Sequence, residues 1–350
     1  MIDLYSSYKH HNFHILNCSV RMASRCLYKL FLPLFLLLLL HPPALSVAQG
    51  LQMDFYQYSC PKAEAIIGSE ITKVISRAPS LAGPLLRMHF HDCFVNGCDG
   101  SVLLNSTKDN SAEKDAIPNV SLRGFGVIDG IKAKLEEACP GVVSCADILA
   151  VVARDVVVLR DGPYWDVLTG RRDGRRSVAA DALNNLPPPF FSASQNLNQF
   201  FLPKGLDAKD QVVLLGAHTI GTSHCSSFSD RLYNFSGTGT SDPTLDKHYL
   251  PKLMNKCKPG DTKTLVEMDP GSFRTFDTGY YKQVTKRRGL FTSDETLMLD
   301  PFSRHYIERQ AYGPATEFFR DFGVSMVKMG SIQVLTGSQG EIRRHCAFVN

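Results

Sequence analysis

Leu86-Arg-Met-His-Phe-His-Asp-Cys-Phe-Val-Asn-Gly-Cys-Asp-Gly-Ser101 reads first as a helix and then as a tight turn bounded by cysteines. On a helix Arg87 and His91 stand four apart and share a face, with Phe90 beside them, while His89 points elsewhere. A guanidinium and an imidazole are thus aimed at one small volume. Heterolysis of a peroxide bond asks for that pair: a base for the proton on one oxygen, His91, and a cation for the charge developing on the other, Arg87. A surface arginine beside a capping histidine is the plainer reading of the pair alone. His89 and His91 with Asp92 could ligate zinc, but residues two apart on a helix face different sides. No Gly-x-Ser-x-Gly elbow supports a hydrolase.

The same stretch gathers oxygen donors at Asp92, Asn96, Asp99 and Ser101, with Gly97 for a tight turn and Cys93 able to close a short ring onto Cys98. Such donors suit a hard cation such as calcium, at a spacing unlike an EF-hand; an ordinary Asp-rich turn would look the same. A second constellation is Leu214-Leu-Gly-Ala-His-Thr-Ile-Gly221. A lone histidine in an apolar run is more often a core residue than a ligand. Here His218 on an apolar helix, with small Gly216 and Ala217 beside it, is what an axial haem ligand needs for a flat macrocycle to approach. Its other ring nitrogen needs an acceptor, for which Asp294 in Thr292-Ser-Asp-Glu295 is a candidate that only tertiary folding can deliver.

The whole chain has 350 residues, 44% hydrophobic and 21% charged, enough apolar material for a large core and incompatible with disorder. A formal charge of +4 with no basic tract gives no electrostatic case for nucleic acid. Lys29 precedes an apolar run from Leu30 to Leu40, and small residues follow at Ala44, Ser46 and Ala48. This reads as a secretory signal region, residues 1–48, cleaved after Ala48, because a membrane span needs roughly 20 apolar residues. Residues 1–21 are long for the charged leader of such a signal, so translation from Met22 is expected to be possible; either start leaves the same domain over 49–350. Of 10 cysteines, Cys18 and Cys26 fall in the removed segment. The remaining even set implies four disulfides, and counting alone leaves 105 connectivities open.

Along the rest of the chain apolar residues recur at helical spacing, as at Ile128, Ile131, Leu135 and Cys139, or Ile148, Val151, Val152, Asp155 and Leu159. A mainly α fold follows. The run Phe55 to Arg77 predicts a long helix with Pro61 in its first turn, and Phe318 to Met329 another, stopped by Gly330. Leu186-Pro-Pro-Pro189 and Asn234 to Thr240 read as loops.

Together these stretches resemble the class III secretory haem peroxidases of plants, from Gln52 to Asn350. The likeness is carried by Arg87 to Cys98, Glu113-Lys-Asp115, Arg123-Gly-Phe125, Val143-Ser-Cys-Ala-Asp147, Gly170-Arg-Arg-Asp173, Leu215-Gly-Ala-His-Thr219 and Arg231-Leu-Tyr-Asn-Phe235, all in order. The resemblance implies a helical fold in two halves. Haem b would lie between a distal side bearing Arg87, Phe90 and His91 and a proximal side bearing His218. Asn119 would accept a hydrogen bond from His91, and Asp294 one from His218. The resemblance also selects one disulfide pattern: Cys60 with Cys139, Cys93 with Cys98, Cys145 with Cys346, and Cys225 with Cys257. It implies two calcium ions, a distal one on Asp92, Val95, Gly97, Asp99 and Ser101, and a proximal one on Thr219, Asp269, Ser272, Thr275 and Asp277.

The activity so implied is reduction of hydrogen peroxide to water while small phenolic donors lose one electron at a time, in cell-wall and lignin-type phenol oxidation, peroxide removal and the response to oxidative stress. Donors would dock at the haem edge near Leu186-Pro187, with loose specificity. Departures are Gly100, where the family more often has Ala, and Ile117 and Ser227, where some members carry aromatic residues near the donor entrance. Trp165, the only Trp, falls in a packing motif, so surface-Trp oxidation of bulky polymers is not expected. Sequons at Asn105, Asn119 and Asn234 predict sugar on the first and last only, because Asn119 would be buried beside His91. The ending Cys346-Ala-Phe-Val-Asn350 leaves no expected vacuolar extension, so an extracellular or cell-wall monomer is expected, without a membrane partner once the signal is removed. A catalytically silent wall protein of the same fold, or a disulfide-rich binding domain without haem, are the competing readings. A haem absorption band with peroxide-dependent guaiacol oxidation separates them.

Overall fold

Isoleucines four residues apart make the first helix. In α1 (Ala63–Arg77) Ala63, Ile67, Ile71 and Ile75 are buried along one stripe, with Glu64 in the first turn and Arg77 in the last, where each complements the helix dipole. The computed structural model describes residues 50–350; the apolar run before them, the cleavage site after Ala48 and the start at Met22 lie outside the described residues. The long helix expected from Phe55 begins instead at Ala63, after turns over 53–59. Cys60 precedes a proline, and a residue in that position is pushed out of the α region, so no helix runs through Cys60-Pro61.

α2 (Ala82–Asn96) carries the opening stretch, and Gly97 ends it at φ 86°, a conformation open to glycine at little cost. α3 (Phe125–Ala138) and α4 (Cys145–Val158) follow, the latter capped by the Ser144 hydroxyl accepting from the Asp147 N–H. α4 is buried on nearly every side, because α1, α2 and α3 all pack against it. Short helices α5 (Ala179–Asn185) and α6 (Ala193–Asn196) flank the Leu186-Pro-Pro-Pro189 corner, which is a loop as expected. Next come α7 (Ala208–Leu215), α8 (Ser229–Tyr233), α9 (Leu250–Lys256), α10 (Gly279–Thr285), α11 (Thr292–Glu295), α12 (Pro301–Tyr312) and α13 (Thr316–Met329). Gly330 caps α13, as its sequence predicts.

Among the described residues the only sheet is a pair of three-residue strands, β1 (Thr222–His224) antiparallel to β2 (Leu265–Glu267), too short for alternation to mark them in the sequence. A large core joins α1 to α4 with α7, α10, α12 and α13, and a smaller one surrounds Cys225 and Cys257 with Phe228, Leu232, Leu253 and Val266. All four disulfides are formed in the expected pairs, Cys60–Cys139, Cys93–Cys98, Cys145–Cys346 and Cys225–Cys257. No helix among the described residues is long and apolar enough to cross a membrane.

Candidate active site

The four-residue spacing on α2 delivers what it predicts. Arg87 Nε donates to His91 Nε2 at 2.9 Å, while the rest of the guanidinium is fixed by Ser121 Oγ at 2.9 Å and the Pro118 carbonyl at 2.7 Å. No spacing in the sequence marks either anchor; both lie in the loop that also carries Asn119. The ring of Phe90 meets His91 edge to face at 5.1 Å.

His91 Nδ1 lies 2.5 Å from Asn119 Oδ1, and the Asn119 amide nitrogen donates to the Glu113 carbonyl at 2.8 Å. The second bond sets the first. With its nitrogen committed to Glu113, Asn119 presents oxygen to His91, so His91 carries its proton on Nδ1 and leaves Nε2 as the acceptor, met here by the Arg87 N–H. Burial, and then the Arg87 charge, press the His91 pKa well below its usual 6.5, against a smaller upward pull from Asn119. Burial alone lowers Arg87 to about 10, which leaves it charged at neutral pH.

His89 points away, as its spacing requires. It is buried against Cys93 Sγ, and burial with Arg171 lowers its pKa to about 3. His89, Asp92 and Cys93 do come close together, but Cys93 is bonded to Cys98 and has no thiolate to give, which disposes of zinc there.

The second constellation differs from expectation in one respect. α7 ends at Leu215, and Gly216–Thr219 is a 3₁₀ turn, so His218 stands on the tightened end of the helix rather than within it. Gly216 is required there, because a Cβ would fall within 2.5 Å of the Tyr281 hydroxyl and 2.6 Å of the Phe318 ring. His218 Nδ1 donates to Asp294 Oδ1 at 2.8 Å, and the same oxygen accepts from the Tyr280 hydroxyl at 3.0 Å. Asp294 Oδ2 accepts from the Phe291 N–H at 3.0 Å. Buried Arg231 holds that segment by donating to the carbonyls of Gly289 at 2.6 Å and Leu290 at 3.0 Å. The rings of Phe291 and Tyr280 flank His218 edge-on at 5.4 and 5.7 Å. His218 Nε2 is thereby left with its lone pair, the state in which an imidazole ligates a metal.

Two oxygen clusters adjoin these histidines. Asp92, Asp99 and Ser101 are buried, with Val95 and Gly97 on the same turn. Asp92 Oδ2 accepts from the Gly100 N–H at 3.0 Å, but Asp92 Oδ1, Ser101 Oγ and Glu113 Oε2 are buried without any partner. Burial raises all three carboxyls, Asp92 well above its usual range, Asp99 to about 6 and Glu113 to about 8. Nothing in the sequence marks Glu113 as a donor; its carboxyl belongs to this cluster while its carbonyl orients Asn119. Around Thr219, its hydroxyl meets Asp277 Oδ1 at 3.0 Å and Asp269 Oδ2 at 3.4 Å, and the Ser272 hydroxyl meets Asp277 Oδ2 at 2.7 Å. Thr275 joins through its N–H to the Ser272 carbonyl at 2.8 Å. Burial and Asp277 raise Asp269 to about 6.

The Pro187 corner is tied to the proximal side, since the Ser293 N–H, next to Asp294, donates to the Pro189 carbonyl at 3.2 Å. Ile117 at 80% and Phe190 at 58% are exposed apolar side chains, the first beside Asn119 and the second beside this corner.

A profile of the peroxidase family matches residues 67–313. The chain is 56% identical over 322 residues to Peroxidase 1 of Oryza sativa subsp. japonica, covering 90% of this chain and 98% of the relative. It is 57% identical to Peroxidase 3 of Arabidopsis thaliana, covering 86% and 92%, and 54% identical to Peroxidase 27 of the same plant, covering 91% and 97%.

Proposed function

The chain belongs to the peroxidase family, among the plant class III enzymes, and is a haem peroxidase; from that premise we propose that His218 would hold the iron of haem b and that His91 and Arg87 serve the cleavage of hydrogen peroxide. The observation that carries the assignment is the opposite partnering of the two imidazoles, His91 with the neutral amide of Asn119 and His218 with the carboxylate of Asp294. Haem, when bound, supplies the redox chemistry of peroxide cleavage and of one-electron oxidation.

The chain's own residues do the rest. His91 Nε2 would take the proton from one peroxide oxygen and return it to the other, which leaves as water. Arg87 stabilises the negative charge that builds on the departing oxygen, and its bonds to Ser121 and Pro118 hold it ready. Asn119 keeps His91 in the tautomer that makes this possible. Asp294 orients His218 and raises its basicity as a ligand.

Both oxygen clusters fit calcium. Two buried oxygens of the distal set, Asp92 Oδ1 and Ser101 Oγ, have no partner, which a hard cation at Asp92, Val95, Gly97, Asp99 and Ser101 would satisfy. Thr219, Asp269, Ser272, Thr275 and Asp277 make the second set. Phenolic donors would approach at the Leu186-Pro187 corner, and secretion with sugar on exposed Asn105 and Asn234 but not on buried Asn119 completes the reading. The test is an absorption spectrum of the purified protein with and without peroxide, followed by guaiacol oxidation. A haem band that responds to peroxide is expected; a colourless protein indifferent to added hemin would overturn the assignment.

A further inference from the structure

Three tyrosines run inward to outward from the proximal histidine. The ring of Tyr280 meets His218 at 5.7 Å, Tyr281 meets Tyr280 at 5.3 Å, and Tyr306 meets Tyr281 at 6.0 Å. All three rings are buried. Packing alone does not call for hydroxyls here, because Phe276, Phe318 and Phe322 fill the adjoining core without them. A buried hydroxyl costs free energy unless it finds a partner, and the partner chosen for Tyr306 is a carboxylate, Asp321 Oδ2 at 3.2 Å.

The outer end of the series lies just below the surface. Asp321 is clamped by Lys209 at 3.0 Å and Arg320 at 2.9 Å, cations that are 46% and 68% exposed. The guanidinium of Arg309, 45% exposed, covers the Tyr306 ring at 5.5 Å. Phe302, one helical turn before Tyr306 on α12, is 50% exposed, and Tyr312 at the end of the same helix is 80% exposed.

We propose that Tyr306, bridged by Tyr281 and Tyr280 to the proximal pocket, is a relay through which the peroxide-oxidised enzyme draws electrons from phenols too large to enter the haem crevice. This rests on the reading of His218 as the haem ligand. In the relay step one electron leaves the Tyr306 phenol for the oxidised centre, the phenol O–H bond breaks, and the proton passes to Asp321, leaving a neutral phenoxyl radical. An electron from a phenolic group at the α12 surface, together with the proton held on Asp321, then restores Tyr306 and leaves Asp321 a carboxylate, while the donor releases its own proton to water and becomes a phenoxyl radical. Burial, with Asp321 beside it, raises the Tyr306 phenol above its usual 10, so the O–H bond is intact at neutral pH until an electron is removed. Lys209 and Arg320 outweigh burial at Asp321 and keep it an open carboxylate acceptor.

The experiment uses the haem-loaded enzyme, one equivalent of hydrogen peroxide and no small donor, frozen for electron paramagnetic resonance. A tyrosyl signal is expected in the wild type and is expected to fall at least tenfold in Tyr306→Phe and in Asp321→Asn. Oxidation of phenol groups fixed to a large polymer should fall in step, while turnover of free guaiacol and the haem band stay within twofold of wild type. No tyrosyl signal in the wild type, a wild-type signal in both variants, or polymer oxidation unchanged when the signal is lost each overturns the relay. A wild type that turns over no guaiacol would instead overturn the haem reading beneath it.

Discussion

The molecule holds two imidazoles, His91 and His218, and gives their Nδ1 protons opposite partners. His91 donates to an amide oxygen, which fixes its tautomer without adding charge; His218 donates to a carboxylate, which pulls on the proton and makes Nε2 a stronger electron donor. On the proposed reading one ring is therefore free to gain and lose a proton, and the other would be given to the iron. The partners' own partners sharpen the difference. Asn119 spends its amide nitrogen on the Glu113 carbonyl, whereas Asp294 takes bonds from Tyr280 and the Phe291 backbone as well as from His218.

Removing the distal imidazole should break this division most severely. His91→Leu is expected to slow peroxide cleavage by about 100 to 10,000-fold, the range for an acid-base group, while the haem band persists because His218 is untouched. Stopped-flow mixing with peroxide reads both. The wild-type rate should also stay level as pH falls from 8 through 6.5 and drop only in more acidic solution, because burial and Arg87 keep His91 unprotonated well below its usual range. A rate that fell already around pH 6.5 would mean an ordinary histidine.

The proximal counterpart is Asp294→Asn. Its expected effect is about 10 to 100-fold on retention of the metal group, the usual cost of losing a carboxylate that orients a ligating histidine. Haem transfer to apomyoglobin measures it. On the distal side Asn119→Leu should act on rate and not on retention, by about tenfold, because His91 loses the acceptor that fixes its tautomer and lifts its basicity. If the two variants gave the same phenotype, the contrast between the sides would fail.

How much of this the sequence discloses follows the same line. The distal pair is local, Arg87 and His91 on one helix face, and the spacing alone aims them together. Asn119 and Asp294 are 28 and 76 residues from their histidines, so no spacing pairs them: Asp294 is only a candidate until the chain folds, and Asn119 is named by resemblance alone. The turn under His218 escaped the reading because Leu214 to Gly221 has the apolar content of a helix, and the departure is made by Gly216 fitting against Tyr281 and Phe318. Ser121 and the Pro118 carbonyl, which fix Arg87, carry no periodic signal at all. The tyrosine series was equally silent, since α10 and α12 meet only in the folded chain.

The two oxygen clusters extend the contrast to calcium, with a smaller expected effect. In the distal one Asp92 Oδ1, Ser101 Oγ and Glu113 Oε2 have no partner, while in the proximal one Thr219, Ser272 and Asp277 bond to one another. Without a cation, buried carboxyls hold protons that the unfolded chain has already released. Asp99 and Asp269 do so from the ordinary carboxylate range up to about 6, and Glu113 up to about 8. Over that window the folded state binds more protons than the unfolded one, so stability of the metal-free protein falls as pH rises, and Asp92, held well above its ordinary range, adds to the loss. A bound cation offsets that loss. Chelation should accordingly lower Tm by several degrees more at pH 8 than at pH 5, read by calorimetry in matched buffers. Activity should fall with the distal cation first, because Glu113, once its carboxylate is unbalanced, is the residue whose carbonyl orients Asn119 against His91. An equal drop in Tm at both pH values would show that these carboxyls do not carry the cation.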